Sequence, residues 1–152
     1  MNRKAAAFVC LTALFALLCG AGTAYAVDYV SVGEGSAILY DAPSLKAKKL
    51  FVVNRHMPFE QVVTLDNWIK VRDRSGGLYW LERRALSNKR YVFALAPLVD
   101  VRAEPDFGST RVIQVRQQVA MELLEATGTG WIKVRHQDGE VGYVSSSEVW
   151  GD

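Results

Sequence analysis

Trp68-Ile69-Lys70-Val71-Arg72 returns unchanged as Trp131-Ile132-Lys133-Val134-Arg135. Successive side chains of a strand point to opposite faces, so in each copy Ile and Val share one side and Trp, Lys and Arg the other. A helix would scatter the same five residues around its circumference and leave no apolar face. Each copy therefore reads as a half-buried strand. Ile69 and Val71, like Ile132 and Val134, belong to a core, and each Trp lies on the outer side with two cations.

Outward from this strand the repetition continues. Tyr29-Val30 corresponds to Tyr91-Val92, Pro43 to Pro105 and Glu60 to Glu122, all at an offset of 62 residues. At the Trp the offset becomes 63. The extra residue falls between Leu65-Asp66-Asn67 of the first copy and Thr127-Gly128-Thr129-Gly130 of the second, as expected of a surface loop. The chain divides into a leader (1–26) and two units, 27–88 and 89–152. Ser87 to Arg90 is too short and too polar-mixed to act as a Gly/Ser tether, so the two copies are expected to touch.

Short extended stretches recur through both units, at 29–32, 37–40, 50–53, 59–63, 68–72 and 78–81, then at 91–94, 99–102, 112–115, 121–125, 131–135 and 141–144. The last two strands of each unit are joined by Asp73-Arg74-Ser75-Gly76-Gly77 or His136-Gln137-Asp138-Gly139. The Asp-Gly pair predicts a type I′ hairpin turn. Ser145-Ser146-Ser147-Glu148 predicts a capped single helical turn, with Leu81-Glu82-Arg83-Arg84-Ala85 as its partner. Strands this short and this regular describe an all-β chain of two small antiparallel barrels. A unit of about sixty residues buries only about 60% of its unfolded surface and is marginal alone, so mutual docking would help both.

The leader has Arg3 and Lys4, an apolar run over 5–18 and a small-x-small Ala24-Tyr25-Ala26 end, the pattern of a cleaved secretory signal peptide. Export to the periplasm or beyond follows as an expectation, with no stable membrane insertion afterwards. Cleavage after Ala26 leaves 126 of the 152 residues and removes both Cys10 and Cys19, so the mature chain has neither disulfide nor thiol nucleophile. Losing Arg3 and Lys4 leaves 16 basic residues against 16 acidic ones. A neutral exported chain is no nucleic-acid binder.

The catalytic inventory is thin. His56 aligns with Gln118 and His136 with Asp73, so neither histidine recurs in the repeat, and each reads as a surface loop residue. No G-x-S-x-G elbow occurs, and no second His or Cys stands at zinc-ligand spacing. Glu122 and Glu125, three apart on a strand, are expected to face opposite ways, which gives no acid/base pair. Lys46, Lys48 and Lys49 read as a solvated loop, or else as a contact for an anionic partner such as peptidoglycan carboxylates. The reading is a non-enzyme with no cofactor and no metal.

Val99-Asp100-Val101-Arg102-Ala103-Glu104-Pro105, followed by Val112-Ile113, Trp131-Ile132-Lys133-Val134 and Gly142-Tyr143-Val144-Ser145, resembles the bacterial SH3 (SH3b) domain. The first copy departs at its opening, where Leu39-Tyr40-Asp41-Ala42-Pro43 stands. Neither copy has the family's Lys-Gly pair; Met57-Pro58 and Val119-Ala120 replace it. The resemblance implies two tandem SH3-like barrels and a binding or targeting module for peptidoglycan or a peptide, or else a scaffold that recruits an envelope protein. It also implies a groove of Tyr40, Trp68, Trp80 and Glu82 in the first unit and of Phe107, Trp131, Tyr143 and Glu148 in the second. Trp68, Trp131, Trp80 and Tyr143 also have a bland alternative, in which the ring covers its own barrel under Lys and Arg stems. Trp150 is either an exposed anchor or a contact across the unit boundary.

Overall fold

The computed structural model describes residues 27–152; the leader, with Cys10 and Cys19, lies outside the described residues. The first unit supplies β1 (Tyr29–Ser31), β2 (Ala37–Tyr40), β3 (Lys49–Val53), β4 (Pro58–Leu65), β5 (Trp68–Arg72) and β6 (Leu78–Glu82), then a 3-10 turn at Arg83–Ala85. The second supplies β7 (Tyr91–Ala94), β8 (Leu98–Arg102), β9 (Arg111–Arg116), β10 (Ala120–Ala126), β11 (Trp131–Arg135) and β12 (Val141–Ser145). A 3-10 turn at Ser146–Glu148 and the short β13 (Val149–Trp150) complete it.

All pairings are antiparallel. The strand orders are β1-β4-β5-β6-β2-β3 and β13-β7-β10-β11-β12-β8-β9, so the second sheet repeats the first with one added edge strand. That addition has a precursor: the Val32–Leu86 bridge occupies the place of the Ala94–Val149 pair. Neither ladder closes on itself, since the end strands pair on one side only. The weak seam is where β6 meets β2 and β12 meets β8. Each seam rests on one register pair, Tyr40 with Trp80 and Arg102 with Tyr143.

The repeated pentapeptide behaves as its alternation requires. Ile69 and Val71 are buried in the first core, and Ile132 and Val134 in the second, while both tryptophans are half-buried. Phe59 and Met121 hold equivalent places in the two cores and are fully enclosed. Gly142 stands where the first unit has Tyr79. A Cβ there would lie 2.5 Å from the Arg102 carbonyl oxygen, so glycine is what lets β8 close on β12.

Three sequence expectations change. The hairpin turns are not type I′. Only Gly76 (φ 91°) and Gly139 (φ 98°) are left-handed, and Asp138 is not. Each loop is long enough to close by an i→i+3 bond, Gly76 N to Asp73 O and Gly139 N to His136 O, with one left-handed glycine after it. The 3-10 turn at Ser146–Glu148 has no side-chain cap; the Ser145 and Ser147 hydroxyls pair with each other instead. Glu122 and Glu125 do not face opposite ways either. A bulge between Leu123 and Glu125 absorbs one residue, so the pair stands opposite Arg135 and Lys133 on one face. The equivalent bulge in β4 lies between Gln61 and Val63.

Asp73 organises the first hairpin loop. It accepts hydrogen bonds from the Ser75 hydroxyl (2.7 Å) and the Gly77 amide (2.8 Å). Burial pushes its carboxyl up, but these bonds together outweigh burial and hold it below its ordinary value. A lowered folded-state pKa stabilises above the unfolded value near 4 and is lost as pH falls through the folded one. Asp73→Asn should cost about 1 kcal/mol at pH 7, and that gap should close in acid, as pH falls through the lowered folded-state value. Urea melts of both proteins at neutral and acid pH measure it; a gap that persists in acid refutes the assignment.

Candidate functional site

The outer face of each sheet is built from the strand pair that carries the repeat. In the first unit Trp68 stands opposite Glu82 and Lys70 opposite Trp80, with Tyr40 on the far side of Trp80. Tyr40 meets Trp68 edge-to-face at 5.2 Å between ring centroids, and Lys70 Nζ lies 5.8 Å from the Trp80 ring. The second unit repeats the device with other residues. Phe107 packs on Trp131 at 4.7 Å, and Lys133 Nζ lies 5.8 Å from the Tyr143 ring. The lysines therefore cover the ring across the strand boundary rather than the Trp two residues away. Cross-strand neighbours are about 5 Å apart, whereas i and i+2 on one strand are nearly 7 Å apart.

The two faces differ in openness. Tyr40 is only 3% exposed beneath Trp68, while Phe107 is 65% exposed beside Trp131. A cavity of about 520 Å³ opens beside the end of β5, lined by Leu45, Asn67, Glu82, Arg83 and Arg84. Glu82 is held there by Arg84, whose Nε donates at 2.8 Å. Glu148 does not take the place of Glu82 in the second unit. Ser145 stands opposite Trp131, and Glu148 lies three residues on in the 3-10 turn.

The larger concavity lies elsewhere, where the units meet. All four residues of β7 are buried, because the strand is covered on both faces. Val92 and Ala94 enter the second core. Tyr91 and Phe93 turn toward the first unit: the Tyr91 amide donates to Ser31 Oγ (2.9 Å), and its ring stacks on His56 at 4.0 Å, nearly parallel. Trp150 settles on the contact reading, edge-to-face on Tyr29 of the other unit at 5.4 Å and tilted against Phe93. Burial pushes the Tyr29 hydroxyl up, as do Asp152 and Glu60, with Arg90 opposing.

Both histidines line this junction, which corrects their reading as surface loop residues. His56 is half-buried, and His136 is 8% exposed. His56 sits in a left-handed turn (φ 64°) matched by Gln118 (φ 64°) in the repeat, and docking of the units then covers it. His56 Nε2 is 3.2 Å from Glu34 Oε2 but not aligned as a hydrogen bond, so the atom is buried without one. His136 Nδ1 lies 3.2 Å from Asp138 Oδ2 and 3.7 Å from Glu140 Oε2. These three ligand-type atoms fall within 4.8 Å of one another, close enough to share a cation. The period-two His-x-Asp-x-Glu pattern was the available signal for that cluster. Nothing local could have signalled the His56–Tyr91 stack. The cavity they help to line measures about 920 Å³.

Bacterial SH3 domain models match residues 33–88 and 97–149, one over each sheet. The chain belongs to the bacterial SH3 domain family and carries two such domains in tandem. Among solved structures it is similar to NlpC2 and NlpC1 from Trichomonas vaginalis. Identity is 11% to each, with TM-scores of 0.39 and 0.38, over 84% of this chain and 49% and 46% of theirs. It is also similar to an NlpC/P60 family protein from Bacillus cereus, with 13% identity and a TM-score of 0.38, over 80% of this chain and 55% of that one. The chain thus spans about half the length of these structures. No curated protein matches the sequence.

Proposed function

We propose that the protein is an exported, non-enzymatic binding module of the bacterial cell envelope, which holds peptidoglycan or its peptides on the two outer aromatic faces. One observation carries this reading. Trp80 and Tyr143 stay partly exposed although the lysine of the repeated strand lies 5.8 Å from each ring, and beside Trp131 the Phe107 ring is 65% exposed. A half-exposed ring backed by a cation offers large contact area at little entropic cost, as extended peptide ligands require. Two weak faces on one chain would bind a polymeric wall with avidity beyond either alone. The leader supports delivery to the periplasm, and among the described residues no helix is long and apolar enough to cross a membrane.

Co-sedimentation with purified sacculi tests it. Trp80→Ala and Tyr143→Ala should each weaken binding roughly tenfold, as expected for losing an aromatic anchor, and the double variant should abolish it. Binding unchanged in the double variant, or release of wall fragments by the pure protein, overturns the reading. A second reading, a scaffold for an envelope protein, is favoured by edge strand β3, where Phe51 and Val52 are 56% and 72% exposed. It predicts no sacculus binding and one co-purifying protein lost on Val52→Lys.

A further inference from the structure

We infer that the crevice between the two sheets is a second binding site, distinct from the outer faces, for a short peptide with both termini free. Its cavity of about 920 Å³ has the size of a small-ligand site, and junctions between domains are where such sites concentrate. The walls carry charges that the protein itself leaves uncompensated. Among the described residues Arg55 has no ion-pair partner, and Glu34 and Asp138 face only histidines, His56 and His136, rather than a Lys or Arg. Arg135, by contrast, is already engaged with Glu122.

Buried polar groups point the same way. His56 Nε2 is enclosed without a hydrogen bond. Tyr91 is 7% exposed and lines the cavity, and its hydrogen bonds to Ser31 are made by its backbone, which leaves the hydroxyl for a ligand. Burial pushes that hydroxyl's pKa up, and the charges acting on it are of both signs, Glu34 and Glu122 against Lys89 and Arg55. A ligand that suits this wall brings a carboxylate for Arg55 and an ammonium for Glu34, with Asp138 across the crevice. Such charge-assisted hydrogen bonds give the orientation, and a peptide group between the termini meets the Tyr91 hydroxyl. Purely anionic or purely cationic ligands leave one wall unpaired and are disfavoured.

Amide NMR titration of the purified protein with trialanine tests this, in parallel with N-acetyl-trialanine amide. Free trialanine should give saturable shifts at Arg55, His56, Tyr91 and Gln118, and the capped peptide should bind roughly tenfold more weakly. Arg55→Gln and Glu34→Gln, both at exposed positions, should each weaken trialanine roughly fivefold or more and keep the spectrum's dispersion. Trp80→Ala should leave trialanine binding unchanged, which separates this site from the outer faces whatever the sacculus experiment gives. Equal affinity for the capped peptide, shifts that map to the outer faces, or no shift at millimolar peptide overturns the proposal.

Discussion

Phe59→Ala is expected to cost the first sheet about 3–5 kcal/mol, which is most of what a unit of this size has to spare. The side chain is wholly enclosed among Val32, Leu39, Ile69, Val71 and Leu81, and the unit has no disulfide or second core to make good the cavity. The second sheet should survive, because its own cluster around Met121, Ile132 and Val134 is separate. It should be weakened only by losing cover over Tyr91 and Phe93. Trp68 and Trp80 report on the first sheet, and Trp131 and Trp150 on the second and the junction. Single-Trp versions followed in urea should therefore show the first transition moved to lower denaturant while the second persists. Loss of all signals at one midpoint would mean one cooperative body, and the expectation would be wrong. Met121→Ala should mirror the effect in the other sheet, at about 2–5 kcal/mol.

Gly151→Ala should be the most damaging small substitution at the junction. Gly151 has φ 112°, a region L side chains rarely adopt, and an added Cβ would come within 2.8 Å of both the Pro58 side chain and the Tyr91 carbonyl oxygen. The residue's own carbonyl accepts from Arg90 (2.9 Å), which ties the chain end to the start of β7. Backbone strain and overpacking together are expected to cost roughly 2–4 kcal/mol. The predicted phenotype is undocking rather than unfolding. Shifts at Tyr29, Ser31, His56 and Tyr91 should collapse toward open-state values while both cores keep their dispersion, and the radius of gyration should rise. Gly128→Ala is the control, since Gly128 is also left-handed (φ 72°) but has nothing within 4 Å of a built Cβ. If the two variants behave alike, packing at the junction contributes nothing and the account of Gly151 fails.

The strands of the core were legible because their signal is local. A period-two alternation repeated at a fixed offset identifies Ile69, Val71, Ile132 and Val134 as core residues without knowledge of any partner. The bulges were not legible. One extra residue in β10 reverses which side Glu125 takes, and neither Leu124 nor its neighbours differ in composition from an unbulged strand. The aromatic faces were half legible. Alternation placed Trp68 and Trp131 on the outer side, where they stand half-buried, but which lysine covers which ring depends on strand register.

Residue order was enough for the doubled all-β architecture and for the inward side of each repeated strand, since alternation and repetition act within a few residues of one another. The crevice was another matter. Tyr91 bonds to Ser31 across 60 residues, Tyr29 meets Trp150, and two histidines with no equivalence in the repeat end in one cavity. Those neighbours are chosen when two marginal units bury β7 between them. That burial is a property of matching surfaces, and no short stretch of chain encodes it.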